Sequence, residues 1–159
     1  MADEKDFYYM GLALEQARAA AALGEPPVGA VLVWEAQVVA AACNRRELDR
    51  VATAHAELLA IEQACKTLKG WRLHKGTLYV TLEPCPMCAG AIINARIRRV
   101  VYGASDPKAG CCGGLTDLFS QPFNHHPLVE GGVRAEESAA LLSDFFRQLR
   151  LSRKEKGEK

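Results

Sequence analysis

Apolar positions recur along the chain in two rhythms, and each rhythm names an element. Residues 7–23 are alanine-rich with apolar residues at helical spacing, and Gly24 is placed to stop the helix they predict. After Pro26-Pro27, the short apolar run 28–34 reads as a strand; Glu35-Ala36-Gln37 turns it into a second strand over 38–42. Residues 44–53 are polar and predict a loop. Leu58, Leu59, Ile61, Cys65 and Leu68 keep a helical period over 54–68, and Gly70 ends it. A strand at 77–82 leads to a helix over 84–93 with proline in its first turn, where a missing N–H costs nothing. A strand at 99–103, a short apolar turn at 115–119, a strand at 128–130 and an amphipathic helix over 135–151 complete the pattern.

This order predicts an α/β fold, a three-layer α/β/α sandwich around a five-stranded mixed sheet. The hairpin makes the first strand pair antiparallel, and the later crossovers favour parallel pairing. Residues 1–151 form one domain in this reading, and 152–159 a charged C-terminal tail. The architecture by itself says nothing about chemistry.

Composition narrows the setting. With 159 residues, 49% hydrophobic and 25% charged, the chain can bury a core and is not disordered throughout. A formal charge of +1 excludes a global positive field of the kind that coats nucleic acid non-specifically. Neutrality on average hides an asymmetry, because residues 147–159 carry six basic and two acidic side chains. Such a segment is a solvated tail by default and is compatible with phosphate contact. Six cysteines are too few for a disulfide scaffold. The acidic start lacks the features of a signal peptide, and no apolar run approaches a membrane span of roughly 20 residues. A cytoplasmic protein with reduced thiols and no membrane partner is expected, and there grouped cysteines point to metal or catalysis.

Two motifs carry chemistry: His55-Ala56-Glu57, and, 30 residues after the histidine, Cys85-Pro86-Met87-Cys88. Cys85 and Cys88 stand three apart and share a helix face; His55 starts the other helix. One imidazole and two thiolates make three zinc ligands, whereas a structural zinc site is closed by four. A water in the open position has its pKa lowered toward neutrality, and Glu57 can take its proton and deliver it to a substrate. A redox dithiol would not need His-x-Glu on a preceding helix. A structural site would need a fourth ligand, for which His74, Cys65, Cys111 and Cys112 are the candidates, none with convincing spacing.

With these motifs, the chain resembles the cytidine-deaminase superfamily, whose zinc signature has this order. Within it, the chain is similar to the bacterial tRNA adenosine deaminases over nearly its whole length. The similarity runs through 27–33, Asn44-Arg45, 53–57, 77–85, 87–91, 106–110, Asn124-His125 and 141–147. The resemblance implies one Zn2+ per subunit on His55, Cys85 and Cys88, with Glu57 as the catalytic proton shuttle. It implies hydrolytic deamination of adenosine to inosine at the wobble position of a tRNA anticodon stem-loop, on a flipped-out base. It also implies substrate contacts by Asn44, Asp106, Asn124 and Phe146, and a homodimer. Arg46, Ser105, Cys111-Cys112 and His126-Pro127 depart from the family pattern in loops expected to face the RNA.

Several residues have plainer readings. Asn44 alone is a turn residue. Cys43 and Cys65 read as small core residues. Phe145-Phe146 reads as a core pair with one ring free to stack, His126 as part of a solvated loop, and Arg96, Arg98 and Arg99 as a solvated helix end able to reach phosphates. Two other functions compete with tRNA deamination. One is deamination of a free base or nucleotide of the guanine or cytosine type. The other is a non-catalytic RNA-binding partner with a structural zinc, which would have no need of Glu57.

Overall fold

The computed structural model describes residues 1–157, arranged as one five-stranded sheet between two helical layers. α1 (Glu4–Ala22) precedes the hairpin of β1 (Gly29–Trp34) and β2 (Gln37–Cys43). A one-turn helix α2 (Arg46–Asp49) interrupts the predicted 44–53 loop. Then come α3 (Ala56–Leu68), β3 (Gly76–Leu82), α4 (Pro86–Asn94), β4 (Arg99–Ala104), a 3-10 turn at Leu118–Ser120, β5 (Leu128–Glu130) and α5 (Ala135–Glu155). α5 therefore continues past the expected start of the tail at 152; residues 158 and 159 of that tail lie outside the described residues.

The strand order is β2-β1-β3-β4-β5. β1 is antiparallel to both β2 and β3, while β3, β4 and β5 run parallel, so the mixed sheet is as expected. Alternation along the strands builds both layers. Ala30, Leu32, Leu78, Val80 and Val100 face Ala60, Ala64, Ala89 and Ile92 of α3 and α4. Val31, Val33, Tyr79 and Val101 face Met10, Ala13 and Leu14 of α1, with Leu141 of α5 at the margin. Gly29 lets α1 approach closely: a Cβ there would collide with the backbone at Ala13 and Ala17.

The pairing also fixes where the site lies. β2, β3 and β4 point the same way, so Asn44, Glu83-Pro84-Cys85 and Ser105-Asp106 all emerge from one end of the sheet. That carboxyl end is where open α/β sheets place ligands. No helix among the described residues is long and apolar enough to cross a membrane.

Candidate metal centre and its cleft

His55 and Cys85 are the N-caps of α3 and α4, both in extended backbone conformation, so two helix N-termini converge on one point. Cys88, one turn into α4, completes the group. His55 Nδ1 lies 3.6 Å from Cys85 Sγ and 3.6 Å from Cys88 Sγ. All three donor atoms fall within 4.8 Å of one another, and among the described residues no fourth His, Cys, Asp or Glu joins them. The group can hold a metal ion and leaves room for a further ligand.

The two thiols shift in opposite directions. A hydrogen bond from Cys88, followed by one with His55, outweighs burial and brings Cys85 down to about 4. Cys88 moves the opposite way, first because it is the donor in that bond and then because it is buried. His55 is raised chiefly by its hydrogen bond with Cys85. Positive helix N-termini add to the stabilisation of the thiolate. Glu57, 4% exposed, is pushed up to about 7, first by burial.

The group opens into a cleft of about 1220 Å³. Pro26, Val28, Asn44 and Arg46 form one side, and Ser105 to Ala109 another. α5 supplies Phe145, Phe146, Arg150 and Arg153 to its rim.

The model of the MafB19-like deaminase family matches residues 4–150. The chain belongs to this deaminase family. It is 50% identical over 151 residues to the tRNA-specific adenosine deaminase of Bacillus subtilis strain 168, covering 94% of each chain. A solved tRNA:A34 deaminase, described in work on A-to-I editing at the wobble position, superposes with a TM-score of 0.80 at 48% identity. That match covers 85% of this chain and 99% of the other. The guanine deaminase of Nitrosomonas europaea matches at TM-score 0.77 and 26% identity, over 91% of this chain and 85% of that one.

In the deaminase, Asn44, Asp106 and Phe146 line the cleft with His55, Glu57 and Cys85. Asn124 does not: it is exposed in the loop before β5 and is not among the cleft's lining residues. Phe145-Phe146 is not a core pair, although one ring does stand free, as the sequence reading allowed. Phe146 is 41% exposed and Phe145 half-buried, because α5 packs on β4 and α1 and turns this face toward the cleft. Asn44 is more than a turn residue, since it is buried and its amide donates to Glu25 Oε2 at 3.2 Å. Cys43 and Cys65 are half-buried rather than fully buried.

Two carboxylates escaped notice in the sequence. Glu25 is fully buried; besides Asn44, it accepts the Leu48 N–H at 2.6 Å and so ties α2 to the cleft wall. Because a carboxylate only accepts, the Asn44 NH2 must face it, which fixes the orientation of the amide. Glu83, 2% exposed, sits between β3 and Cys85 and binds the loop that follows β4. An acidic residue at the edge of an apolar strand end was the available signal for both.

Proposed function

We propose that this deaminase hydrolyses adenosine to inosine at the wobble position of a tRNA anticodon, using one zinc ion per subunit held by His55, Cys85 and Cys88. The observation that carries this is a buried Glu57 beside a three-donor group that opens into a cleft. The spacing supports zinc: Zn–S near 2.3 Å and Zn–N of about 2.0–2.1 Å at a tetrahedral angle put sulfur and nitrogen about 3.6 Å apart. When bound, zinc supplies a Lewis acid that brings the pKa of a water toward neutrality. Holding it requires Cys88 to lose its proton, so loading is coupled to pH.

The chain's own residues do the rest. Glu57, with its carboxyl brought near neutrality, relays the attacking water's two protons in turn, the first to the purine ring N1 and the second to the departing amine. C6 gains oxygen from water, the C6–N bond breaks, and ammonia leaves. Asn44, held by Glu25, is placed to read the inserted nucleoside. Asp106 borders the cleft where a neighbouring ribose would lie, and Phe146 offers a ring for stacking. Arg46, Lys108, Arg150 and Arg153 at the cleft supply positive charge for phosphates. The similarity to a tRNA-specific adenosine deaminase and a tRNA:A34 deaminase supports RNA as the substrate, and with it cytoplasmic work. A homodimer completes the reading; Leu115, Phe123, Leu128 and Val129 expose apolar surface along one stretch of chain.

The test is to incubate zinc-loaded protein with an anticodon stem-loop bearing adenosine at the wobble position and measure inosine by nucleoside mass spectrometry. Stoichiometric inosine is expected. No inosine alongside turnover of free guanine or cytosine would transfer the chain to base deamination, the reading that the guanine-deaminase likeness supports. Light scattering of the same sample reads the dimer.

A further inference from the structure

The loop from Ser105 to Gly114 supplies one side of the cleft through Ser105 to Ala109, yet contributes no metal donor. Turns of its own run through it, with Gly110 N–H donating to the Asp106 carbonyl at 2.9 Å and Lys108 N–H to Asp106 Oδ1 at 2.9 Å, and its two ends are drawn together by a carboxylate just beyond β3. Glu83 Oε1 accepts the Ser105 hydroxyl at 3.0 Å and the Asp106 N–H at 2.9 Å. Oε2 accepts the Cys112 and Gly114 N–H groups, both at 2.8 Å. Four donors from both ends of one loop thus meet on a single buried side chain. Two backbone bonds flank this knot: Glu83 N–H donates to the Ala104 carbonyl, and Cys111 N–H to the Pro84 carbonyl, each at 2.9 Å. Glycine makes room for it, since a Cβ at Gly110 or Gly114 would strike both the Glu83 carboxylate and the Asp106 carbonyl.

Glu83 is two residues before the ligand Cys85, so the same short segment carries a metal donor and the anchor of the opposite loop. We propose that Glu83 is a positioning residue for the substrate. By gathering these four donors it sets the distance between the Asp106 side of the cleft and the metal centre, and so governs how a nucleoside is seated. It does not touch the reacting atoms, and its removal acts on substrate affinity before it acts on the chemical step. The kinetic part of this proposal rests on the deaminase reading; the structural part does not.

Glu83→Gln in the full-length, zinc-loaded protein is the first test. Glutamine offers one oxygen, and its NH2 must oppose two of the four donors whichever way it turns. The expected result is one zinc per chain, kcat within about threefold of the parent, and KM for the stem-loop raised about tenfold or more. Hydrogen exchange should quicken at the Asp106, Cys112 and Gly114 amides and stay unchanged in α4. Gly114→Ala is the second test: it leaves Glu83 charged, lies outside the cleft lining and pushes on the same knot. It should raise KM in the same selective way.

A lowered melting temperature with KM and kcat both intact would reduce Glu83 to a structural anchor and overturn the proposal. Loss of zinc from Glu83→Gln would overturn it too, by making Glu83 a support of the metal centre. If the parent protein makes no inosine, the same comparison is run on whichever free base it deaminates. Failure of the RNA reading then stands apart from failure of this one, which unchanged loop exchange and unchanged KM would establish.

Discussion

Replacing Asp6 with asparagine tests whether the first helix is fastened to the sheet by a buried ion pair. Asp6 lies at the third position of α1, where it and Asp3 cap the helix reciprocally, and its side chain is 3% exposed. Both its oxygens face the Arg99 guanidinium, at 2.7 and 2.9 Å, and the Tyr79 hydroxyl donates to Oδ1 at 2.8 Å. Arg99 opens β4 and Tyr79 lies in β3, so one carboxylate joins α1 to two central strands. Asparagine keeps the volume but loses the charge and turns an NH2 toward a cation or a hydroxyl hydrogen. Breaking a buried pair costs about 3–5 kcal/mol, and partial exposure of Arg99 brings the expectation to about 2–4 kcal/mol. For a chain of this size, that lowers the melting temperature by roughly 5–15 °C.

The pH dependence adds a second, independent check. The hydrogen bond from Arg99, ahead of the opposing effect of burial, holds the Asp6 carboxyl below its ordinary value. A depressed folded pKa contributes stability that is fully present above the unfolded value, about 3.9, and is lost as pH falls through the lower folded one. The stability gap between parent and Asp6→Asn should therefore be constant from pH 7 to about pH 5 and narrow below about pH 4. Urea unfolding followed by circular dichroism across pH 3–7 measures it. A gap below about 1 kcal/mol at pH 7, or one that widens in acid, would refute the reasoning.

The metal centre and the cleft make further demands. Glu57→Gln should keep its zinc and lose about 10²–10⁴-fold in deamination rate, read by inosine formation and metal analysis on the same sample. Activity within threefold of the parent would remove Glu57 from the proton path. Cys88→Ala should fail to retain zinc through dialysis, whereas full metal content would mean the donor set is wrong. Glu25→Gln leaves either the Asn44 amide or the Leu48 N–H facing an NH2 in a fully buried site, at about 1–3 kcal/mol. It should raise KM about tenfold with zinc retained, and an unchanged KM would disconnect Glu25 from substrate binding.

What the sequence disclosed and what it concealed follow from the range of the interactions involved. The strands were legible because a short apolar run bounded by Gly, Pro or polar residues is a local feature, and both sheet faces proved to be buried by helices. His55, Cys85 and Cys88 were legible because the donor types and helix starts sit inside two short motifs, and the fold had only to bring two caps together. Which ring of Phe145-Phe146 stands free was not legible, because the exposure of each depends on where α5 lies against β4 and α1, and no residue near them encodes that. Asn124 entered on resemblance alone, and in this chain it stands apart from the cleft. Glu25 and Glu83 were concealed for a deeper reason. A carboxylate beside proline is ordinarily solvated, and burying one is unfavourable unless donors compensate for the lost water. Here the donors come from residues 19 to 31 positions further along the chain. Compensation of that kind exists only in the folded molecule, so the three-donor group was readable from local motifs, whereas the carboxylates that shape the cleft around it were not.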